Sequence, residues 1–312
     1  MIKFIKKLFL FIILITIMLC GAFYYFYKIG GDDLPAPNLS NSISFNEKID
    51  FIKDKDLSKI EYIVLGSSMA LNNIDSETMV KYCGENFLNL ASWGFKISDS
   101  KQFVGNLINY FPNLKTVILS TNLMDYSDKR LLEINIEYSK VKRVLNNYLG
   151  IFTYLTNFNL KYFYNNSKVN KQRTADNNSY QSLNFDRKGG VVISIKPDKI
   201  DPERWSKNLN DYKISDYEVS NLIELIKILR EKKIELIIAI SPLRPGSQNK
   251  EDYEAYTNEI SKIQDITVKE NVKYINTNDF KVWSDSLFVD YAHLNNKGCE
   301  KFTELVISSF KR

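Results

Sequence analysis

The sequence predicts an α/β protein, a flavodoxin-like three-layer sandwich in which helices cover both faces of a central parallel five-stranded sheet. Short β-branched runs alternate with helical patterns through most of the chain, which is typical of that class. An uncharged segment precedes the alternation, and a long stretch after the third run interrupts it. With 312 residues, of which 44% are hydrophobic, the chain can bury a sizeable core.

The N-terminal segment, residues 8–27, predicts a transmembrane helix. Its roughly 20 uncharged residues, at about 1.5 Å per residue, match a hydrocarbon core of about 30 Å. Lysines precede the segment and aspartates follow it, so residues 1–7 are expected in the cytoplasm and the rest of the chain outside the cell membrane. A cleavable signal peptide is the competing interpretation, but the apolar run is long for one and no A-x-A site follows it. The sequence therefore favours a single-pass anchor.

The next segment, residues 28–55, contains glycines, prolines and a run of Asn and Ser, and it predicts an extracytoplasmic tether. The folded domain is expected over residues 56–312. Its five strands are predicted at 62–65, 87–90, 116–119, 235–240 and 272–275. Pro112 ends the helix before the third strand, and residues 295–310 form a last amphipathic helix. The expected strand order is 2-1-3-4-5.

A long insertion, residues 126–215, separates the third strand from the fourth. It is rich in Tyr, Asn, Phe and Lys and contains Gly189 and Gly190. Such segments often cap the substrate cleft of an α/β enzyme, and a purely structural excursion is an equally open alternative.

Charge and cysteine content exclude several classes of protein. The net charge of +5 is spread over 42 basic and 37 acidic residues without a nucleic-acid motif, so no nucleic-acid partner is expected. A single histidine and the lack of a C-x-x-C pattern predict neither a metal site nor a cofactor. Cys20 lies in the apolar segment, and Cys83 and Cys299 are expected to be free, buried thiols.

Polar residues follow four of the five predicted strands, at the edge where open parallel sheets bind ligands. They are Ser67 and Ser68, Ser92 to Gly94, Asn122, and Asp290 with His293. A serine hydroxyl is protonated at neutral pH, so it attacks an ester only with a base in reach, and a neutral imidazole suits that task. A serine near the start of the domain and Asp-x-x-His near its end therefore predict a nucleophile, a base and an orienting acid.

Four segments resemble the sequence blocks of the SGNH, or GDSL-like, hydrolase superfamily. The match is closer to its membrane-anchored Gly-Ser-Ser variant, which is DltD-like and associated with O-acetyl transfer to polysaccharides. The segments are Ile63-Val64-Leu65-Gly66-Ser67-Ser68, Asn89-Leu90-Ala91-Ser92-Trp93-Gly94, Val117-Ile118-Leu119-Ser120-Thr121-Asn122 and Asp290-Tyr291-Ala292-His293-Leu294-Asn295.

The resemblance implies Ser68 as nucleophile, His293 as base and Asp290 as its orienting acid. It also implies an oxyanion hole made of the backbone N–H groups of Ser68 and Gly94 and the side chain of Asn122.

Three positions depart from the family pattern. Ser120 and Leu123 stand where glycine and aspartate are usual, and Asp125 is an alternative polar group of the same loop. Ser67 replaces the usual aspartate of the first block, which leaves open which serine attacks.

Substrate binding is assigned to Ser67, Trp93 and Arg244. For each of them a purely structural role is the alternative. Gly66-Ser67-Ser68 could instead be a strand-to-helix turn with a capping serine, and Trp93 could belong to the core. Arg244 is expected to hold an anionic group of a substrate, or else to be a solvated side chain of a rigid Pro-containing loop.

The resemblance implies an extracytoplasmic serine esterase or O-acyltransferase that passes through an acyl-Ser68 intermediate. Its expected substrates are esters, above all acyl or acetyl groups of a cell-envelope polysaccharide. Its expected partners are the membrane and a multi-pass membrane acyltransferase. Two alternatives stay open: a catalytically degenerate SGNH-like module that binds glycan or partner proteins, and a membrane-anchored structural protein.

Overall fold

The computed structural model describes residues 1–30, 35–129, 133–146, 154–209, 212–247, 249–278 and 282–308. Residues 309–310 of the predicted last helix lie outside this part of the chain.

A five-stranded parallel sheet forms the centre of the molecule and confirms the predicted fold class. The strands are β1 (Tyr62–Gly66), β2 (Phe87–Asn89), β3 (Thr116–Thr121), β4 (Glu235–Ile240) and β5 (Lys273–Asn276). Their order in the sheet is β2-β1-β3-β4-β5, which is the predicted 2-1-3-4-5. Val64 of β1 pairs with Asn89 of β2 on one side and with Ile118 of β3 on the other.

Helices cover both faces of the sheet, as the alternating side chains of β1 show. Ile63 and Leu65 face one hydrophobic core, whereas Val64 faces the other. The helices are α1 (Ile2–Gly30), α2 (Ile43–Ile52), α3 (Ser68–Asn73), α4 (Ser76–Cys83), α5 (Ile97–Leu107), α6 (Tyr138–Leu145), α7 (Leu160–Ala175), α8 (Asp216–Glu231), α9 (Lys250–Lys269) and α10 (Asn296–Ser308). Short 3₁₀ turns at Leu123–Tyr126 and Pro202–Arg204 carry residues near the candidate site.

Helix α1 is long and apolar enough to cross a membrane over Ile2–Tyr25, and none of its most apolar stretch is buried against the rest of the protein. An anchor and an N-terminal signal sequence share these properties.

The prediction of a tether over residues 28–55 is wrong for residues 35–55, which belong to the folded domain. Phe45, Ile49 and Ile52 of α2 are completely buried in the core, and Leu39 before the helix is buried as well. These residues recur at helical spacing, a pattern that the surrounding Asn, Ser, Asp and Lys obscured. The domain boundary therefore lies near residue 35 rather than at residue 56.

The insertion between β3 and α8 packs along the domain instead of forming a separate unit. It contains α6, α7 and a long irregular stretch. The fully buried Lys48 of α2 donates hydrogen bonds to the carbonyls of Asn89 (3.0 Å) and Gly189, which ties the insertion to the end of β2. Burial lowers the pKa of Lys48 to about 7.

The three cysteines are free, as expected, and Cys299 is buried. Cys83 is half-buried rather than buried, and burial raises the pKa of its thiol to about 12.

Candidate functional site

The Gly-Ser-Ser turn connects β1 directly to α3. Gly66 has a φ of +134°, and a Cβ at this position would lie 2.2 Å from the carbonyl oxygen of Ser120 on β3. Only glycine can therefore make the turn without displacing a neighbouring strand. Ser68 is the first residue of α3 and is half-buried, with its N–H at the helix N-terminus.

Ser68, His293 and Asp290 form a continuous hydrogen-bonded row. The Ser68 Oγ lies 3.0 Å from His293 Nε2, and His293 Nδ1 lies 2.8 Å from Asp290 Oδ2. With the ring proton on Nδ1, Nε2 can accept the proton of the serine hydroxyl. The structure thus brings together the three side chains that the sequence predicted as nucleophile, base and acid.

Asp290 is completely buried and stays ionised. Burial by itself raises the pKa of its carboxyl, but the charge and hydrogen bond of His293 together with two backbone N–H groups outweigh burial and lower the pKa to about 2. Those N–H groups belong to Ala292 and His293, and they donate to Oδ1 at 2.8 and 2.6 Å. Oδ2 is left to orient the imidazole.

Asn73, at the end of the helix that begins with Ser68, holds the histidine loop from both sides. Its Nδ2 donates to the carbonyl of Ala292 (2.9 Å), and its Oδ1 accepts from the N–H of Leu294 (3.0 Å). Asn73 is fully buried. The α3 helix therefore carries the predicted nucleophile, Ser68, at one end and an anchor of the predicted base, His293, at the other.

The insertion supplies a second support, through Arg204 and Tyr180. The Arg204 Nη2 donates to Asp290 Oδ2 (3.2 Å), and its guanidinium stacks 3.7 Å from the centre of the Tyr180 ring. The Tyr180 hydroxyl donates to the carbonyl of Val289 (2.5 Å), and the N–H of Tyr291 donates to the carbonyl of Arg204 (2.8 Å). Sequence reasoning missed Asn73, Arg204 and Tyr180, because no local pattern connects them to a loop at the far end of the chain.

The two further candidates for oxyanion contacts lie on loops joined to the serine turn. The N–H of Ser92 donates to the carbonyl of Gly66 (3.1 Å), which ties the β2 loop to the β1 turn. In that loop Gly94 is exposed and has a φ of +72°, a conformation that suits glycine. The next residue, Phe95, is buried and stacks on Phe45 with 5.7 Å between the ring centres. This packing fixes the turn against the hydrophobic core.

Asn122 follows β3 and is almost completely buried. Its Oδ1 accepts from the N–H of Met124 (2.9 Å), whereas its amide nitrogen makes no hydrogen bond within the described residues. The Asp125 Oδ2 accepts from the N–H of Asn122 and from the hydroxyl of Ser67, each at 3.0 Å. Burial raises the pKa of Asp125 to about 7. These bonds join the β3 loop to the serine turn.

The predicted substrate-binding residues are engaged within the protein. Ser67 is buried, donates to Asp125 and caps α3 by accepting from the N–H of Met69 (3.3 Å). Trp93 is half-buried against the second hydrophobic core. Arg244 is neither solvated nor open to an anion, since it donates to Asp285 (2.9 Å) and to the carbonyl of Trp205 (3.3 Å). The geometry favours the plainer interpretation for Ser67 and Trp93.

Comparison with protein-family models and with curated proteins finds no match for this chain. Solved structures give distant likenesses. One is a psychrotrophic esterase of Pseudoalteromonas sp., with 12% identity, a TM-score of 0.39, and coverage of 80% of this chain and 96% of the other. A putative acylhydrolase of Bacteroides fragilis has 8% identity, a TM-score of 0.37 and coverage of 92% and 96%. A GDSL-like lipase of Bacteroides thetaiotaomicron has 10% identity, a TM-score of 0.38 and coverage of 85% and 98%.

At such scores the candidate site rests on its own geometry. Within the described ranges, no group of three or more His, Cys, Asp or Glu side chains is arranged to hold a metal ion. What the site offers is a hydroxyl paired with a supported imidazole, beside backbone and amide donors. Such an arrangement can transfer an acyl group through a covalent serine intermediate.

Proposed function

We propose that the protein is a serine esterase or O-acyltransferase of the SGNH, or GDSL-like, superfamily. The observation that carries the proposal is the row from Ser68 Oγ through the ring of His293 to Asp290, with distances of 3.0 and 2.8 Å. Both nitrogens of the imidazole have the partner that nucleophilic catalysis requires. A histidine that served only the core would not need a half-exposed serine at Nε2.

The proposed reaction begins with attack of the Ser68 Oγ on the carbonyl carbon of an ester. The hydroxyl proton moves to His293 Nε2, and the carbonyl π electrons move onto the oxygen. The N–H groups of Ser68 and Gly94 and the amide of Asn122 face this oxyanion; one such donor typically contributes about 3 to 4 kcal/mol. When the tetrahedral intermediate collapses, the C–O bond to the alcohol breaks and His293 returns the proton to the leaving oxygen.

The second half of the reaction decides between hydrolysis and transfer. An acceptor hydroxyl attacks the acyl-Ser68 carbonyl, His293 takes its proton, and the serine leaves with that proton. Water as acceptor makes the protein an esterase, and a sugar hydroxyl makes it an O-acyltransferase. Asp290 stabilises the imidazolium in both halves without itself taking the proton.

The proposed setting is the outer surface of the cell membrane, with α1 as an uncleaved anchor and residues 1–7 in the cytoplasm. The support is the length and apolar character of α1 and the lysines that precede it. The proposed substrates are acyl or acetyl groups of a cell-envelope polysaccharide. A multi-pass membrane acyltransferase is the proposed partner, as in the DltD-like variant that the sequence resembles.

The test is covalent labelling of the full-length chain with a fluorophosphonate, combined with turnover of a chromogenic acetyl ester. We expect the label on Ser68, and we expect Ser68→Ala and His293→Ala to lower turnover by roughly 10³-fold or more. Ser67→Ala is the matched control, because it removes the adjacent hydroxyl and leaves Ser68 to be labelled. A label on Ser67 would overturn the assignment, and no label with no turnover would leave only a binding module.

A further inference from the structure

One part of the insertion carries a local excess of positive charge, because it has basic residues and no acidic ones. Residues 138–175 contain seven Lys and Arg and no Asp or Glu. The whole chain has a net charge of +5, so the remainder outside this segment is slightly acidic. A local excess of this kind attracts anionic surfaces.

The same segment exposes apolar side chains where it enters α7. We call residues 154–164 the aromatic patch. Leu160 and Tyr164 are one turn apart on the same side of α7, and the exposed fraction of Leu160 is 72%. The exposed large apolar side chains of the patch are Leu155, Phe158, Leu160 and Tyr164.

The patch lies against the end of the apolar helix. The ring of Phe23 in α1 lies 6.3 Å from that of Tyr154 and 6.5 Å, edge-on, from that of Phe158. Tyr24 and Tyr25 follow on α1 and are exposed. Aromatic residues at the end of a membrane-spanning helix are typical of the headgroup level. The patch therefore lies at the depth at which α1 would leave the bilayer.

Helix α2 connects the patch to the candidate site. The Asn46 Nδ2 donates to the hydroxyl of Tyr162 (3.0 Å), and two residues earlier the Ser44 Oγ accepts from the N–H of Trp93 (3.2 Å). Trp93 directly precedes Gly94, the proposed oxyanion donor. Two hydrogen bonds of one helix thus link the patch to the loop that carries Gly94.

We propose that the aromatic patch is a docking surface for the outer leaflet of the bilayer that α1 spans. The apolar side chains enter the interface, while Lys161 and its basic neighbours contact anionic headgroups. Docking holds the Ser68 edge of the sheet close to the membrane surface, where it would reach acyl donors carried in or on the membrane. This inference rests on the proposed role of α1 as an anchor.

The test places an environment-sensitive fluorophore on the patch of the full-length chain. Cys20→Ala and Cys83→Ser remove the two accessible thiols, and Leu160→Cys then receives the fluorophore. The protein is reconstituted in vesicles of phosphatidylcholine and phosphatidylglycerol that contain lipids spin-labelled near the headgroup. Val268→Cys is the matched control. Val268 is also apolar and is 73% exposed, but it lies in the last turn of α9, which leads to the amino ends of the strands.

We expect the spin label to quench the Leu160→Cys probe at least twofold more than the Val268→Cys probe, and more strongly as the phosphatidylglycerol content rises. Equal, weak quenching of both probes would overturn the proposal, and so would failure of the chain to float with the vesicles. A Leu160→Cys probe that is shielded only after a second protein is added would assign the patch to a protein partner instead.

Fluorophosphonate labelling of Ser68 in the same vesicles separates this inference from the proposed function. Labelling without quenching leaves the enzyme intact and rejects the docking surface. Quenching without labelling supports the surface and rejects the enzyme.

Discussion

The serine turn and the histidine loop meet in one hydrogen bond, yet they are built in opposite ways. Ser68 lies two residues beyond the end of β1, on a turn that leads straight into α3. His293 lies far beyond the end of β5, in a loop with few regular elements. Asn73 and Arg204, from distant parts of the chain, hold that loop.

The comparison shows that Ser68 and His293 are held in position by two different kinds of structure. The position of Ser68, the proposed nucleophile, follows from local backbone geometry, because a strand, a glycine turn and a helix leave it little freedom. The position of the imidazole is a property of the whole fold, since it depends on contacts with α3 and with the insertion. A change in the serine turn should therefore lower mainly the stability of the fold. Changes in the residues that hold the histidine loop should lower the reaction rate, with a smaller loss of stability.

Gly66→Ala should have the largest effect on stability. Its Cβ would lie 2.2 Å from the Ser120 carbonyl oxygen, at a φ of +134° that side chains rarely adopt. We expect a loss of about 4 kcal/mol in the free energy of unfolding, measured by urea denaturation of the full-length chain in detergent.

Gly105→Ala is the control for this change. Gly105 lies inside α5, where an added Cβ has nothing within 4 Å. Helix propensity predicts a gain of about 0.5 to 1 kcal/mol there. Equal stability of the two variants would show that the serine turn is not constrained by its close approach to β3.

Asn73→Ala should have the next largest effect, and it should act on both stability and rate. The change leaves the carbonyl of Ala292 and the N–H of Leu294 buried without their partner. We expect a loss of about 2 to 3 kcal/mol in the free energy of unfolding. We also expect the fluorophosphonate labelling rate of the folded fraction to fall roughly tenfold or more, because the base is no longer fixed.

Asn106→Ala is the control, since Asn106 is an asparagine on the surface of α5 that hydrogen-bonds one turn back to Gln102. It should stay within about 0.5 kcal/mol of the parent protein. If Asn73→Ala labelled at the parent rate, the histidine loop would be held by other contacts.

The same difference explains what could be predicted from the sequence. The β-branched strands and their order follow from periodicity and topology rules, and the Gly-Ser-Ser turn follows directly from a strand. Of the two adjacent serines, the resemblance favours Ser68. Only the folded chain shows that His293 contacts Ser68, whereas Ser67 donates to Asp125 of another loop.

Other features had a local signal that was obscured, or none. Helix α2 was hidden because its apolar residues are separated by polar and charged ones, and even Lys48 on this helix is buried. Arg204 lies in an irregular part of the insertion, and only the folded chain brings it to Asp290. Supports of this kind depend on tertiary contacts between segments that are remote in sequence.

Arg204→Met should have the smallest effect on stability and should act mainly on rate. The Arg204 side chain is 38% exposed, so its ion pair with Asp290 is screened by solvent, and we expect a change below about 1 kcal/mol in the free energy of unfolding. We expect kcat for a small acetyl ester to fall about tenfold with KM unchanged, because Arg204 contacts Asp290 and not the proposed ester position. Arg204→Lys should restore part of the rate by returning the charge.

Arg244→Met is the matched control on the same edge of the sheet. Arg244 is also an ion-paired arginine stacked on an aromatic ring, but its partners are Asp285 and Trp205. We expect steady-state kinetics to give this variant a kcat within about twofold of the parent value. Among the described residues, the Arg244 side chain has no hydrogen bond or ion pair with Asp290 or His293, and its backbone bond to Tyr291 is kept in the variant. If both arginine variants lost the same activity, the insertion would support this edge of the sheet in general, and the histidine loop would not depend on Arg204 in particular.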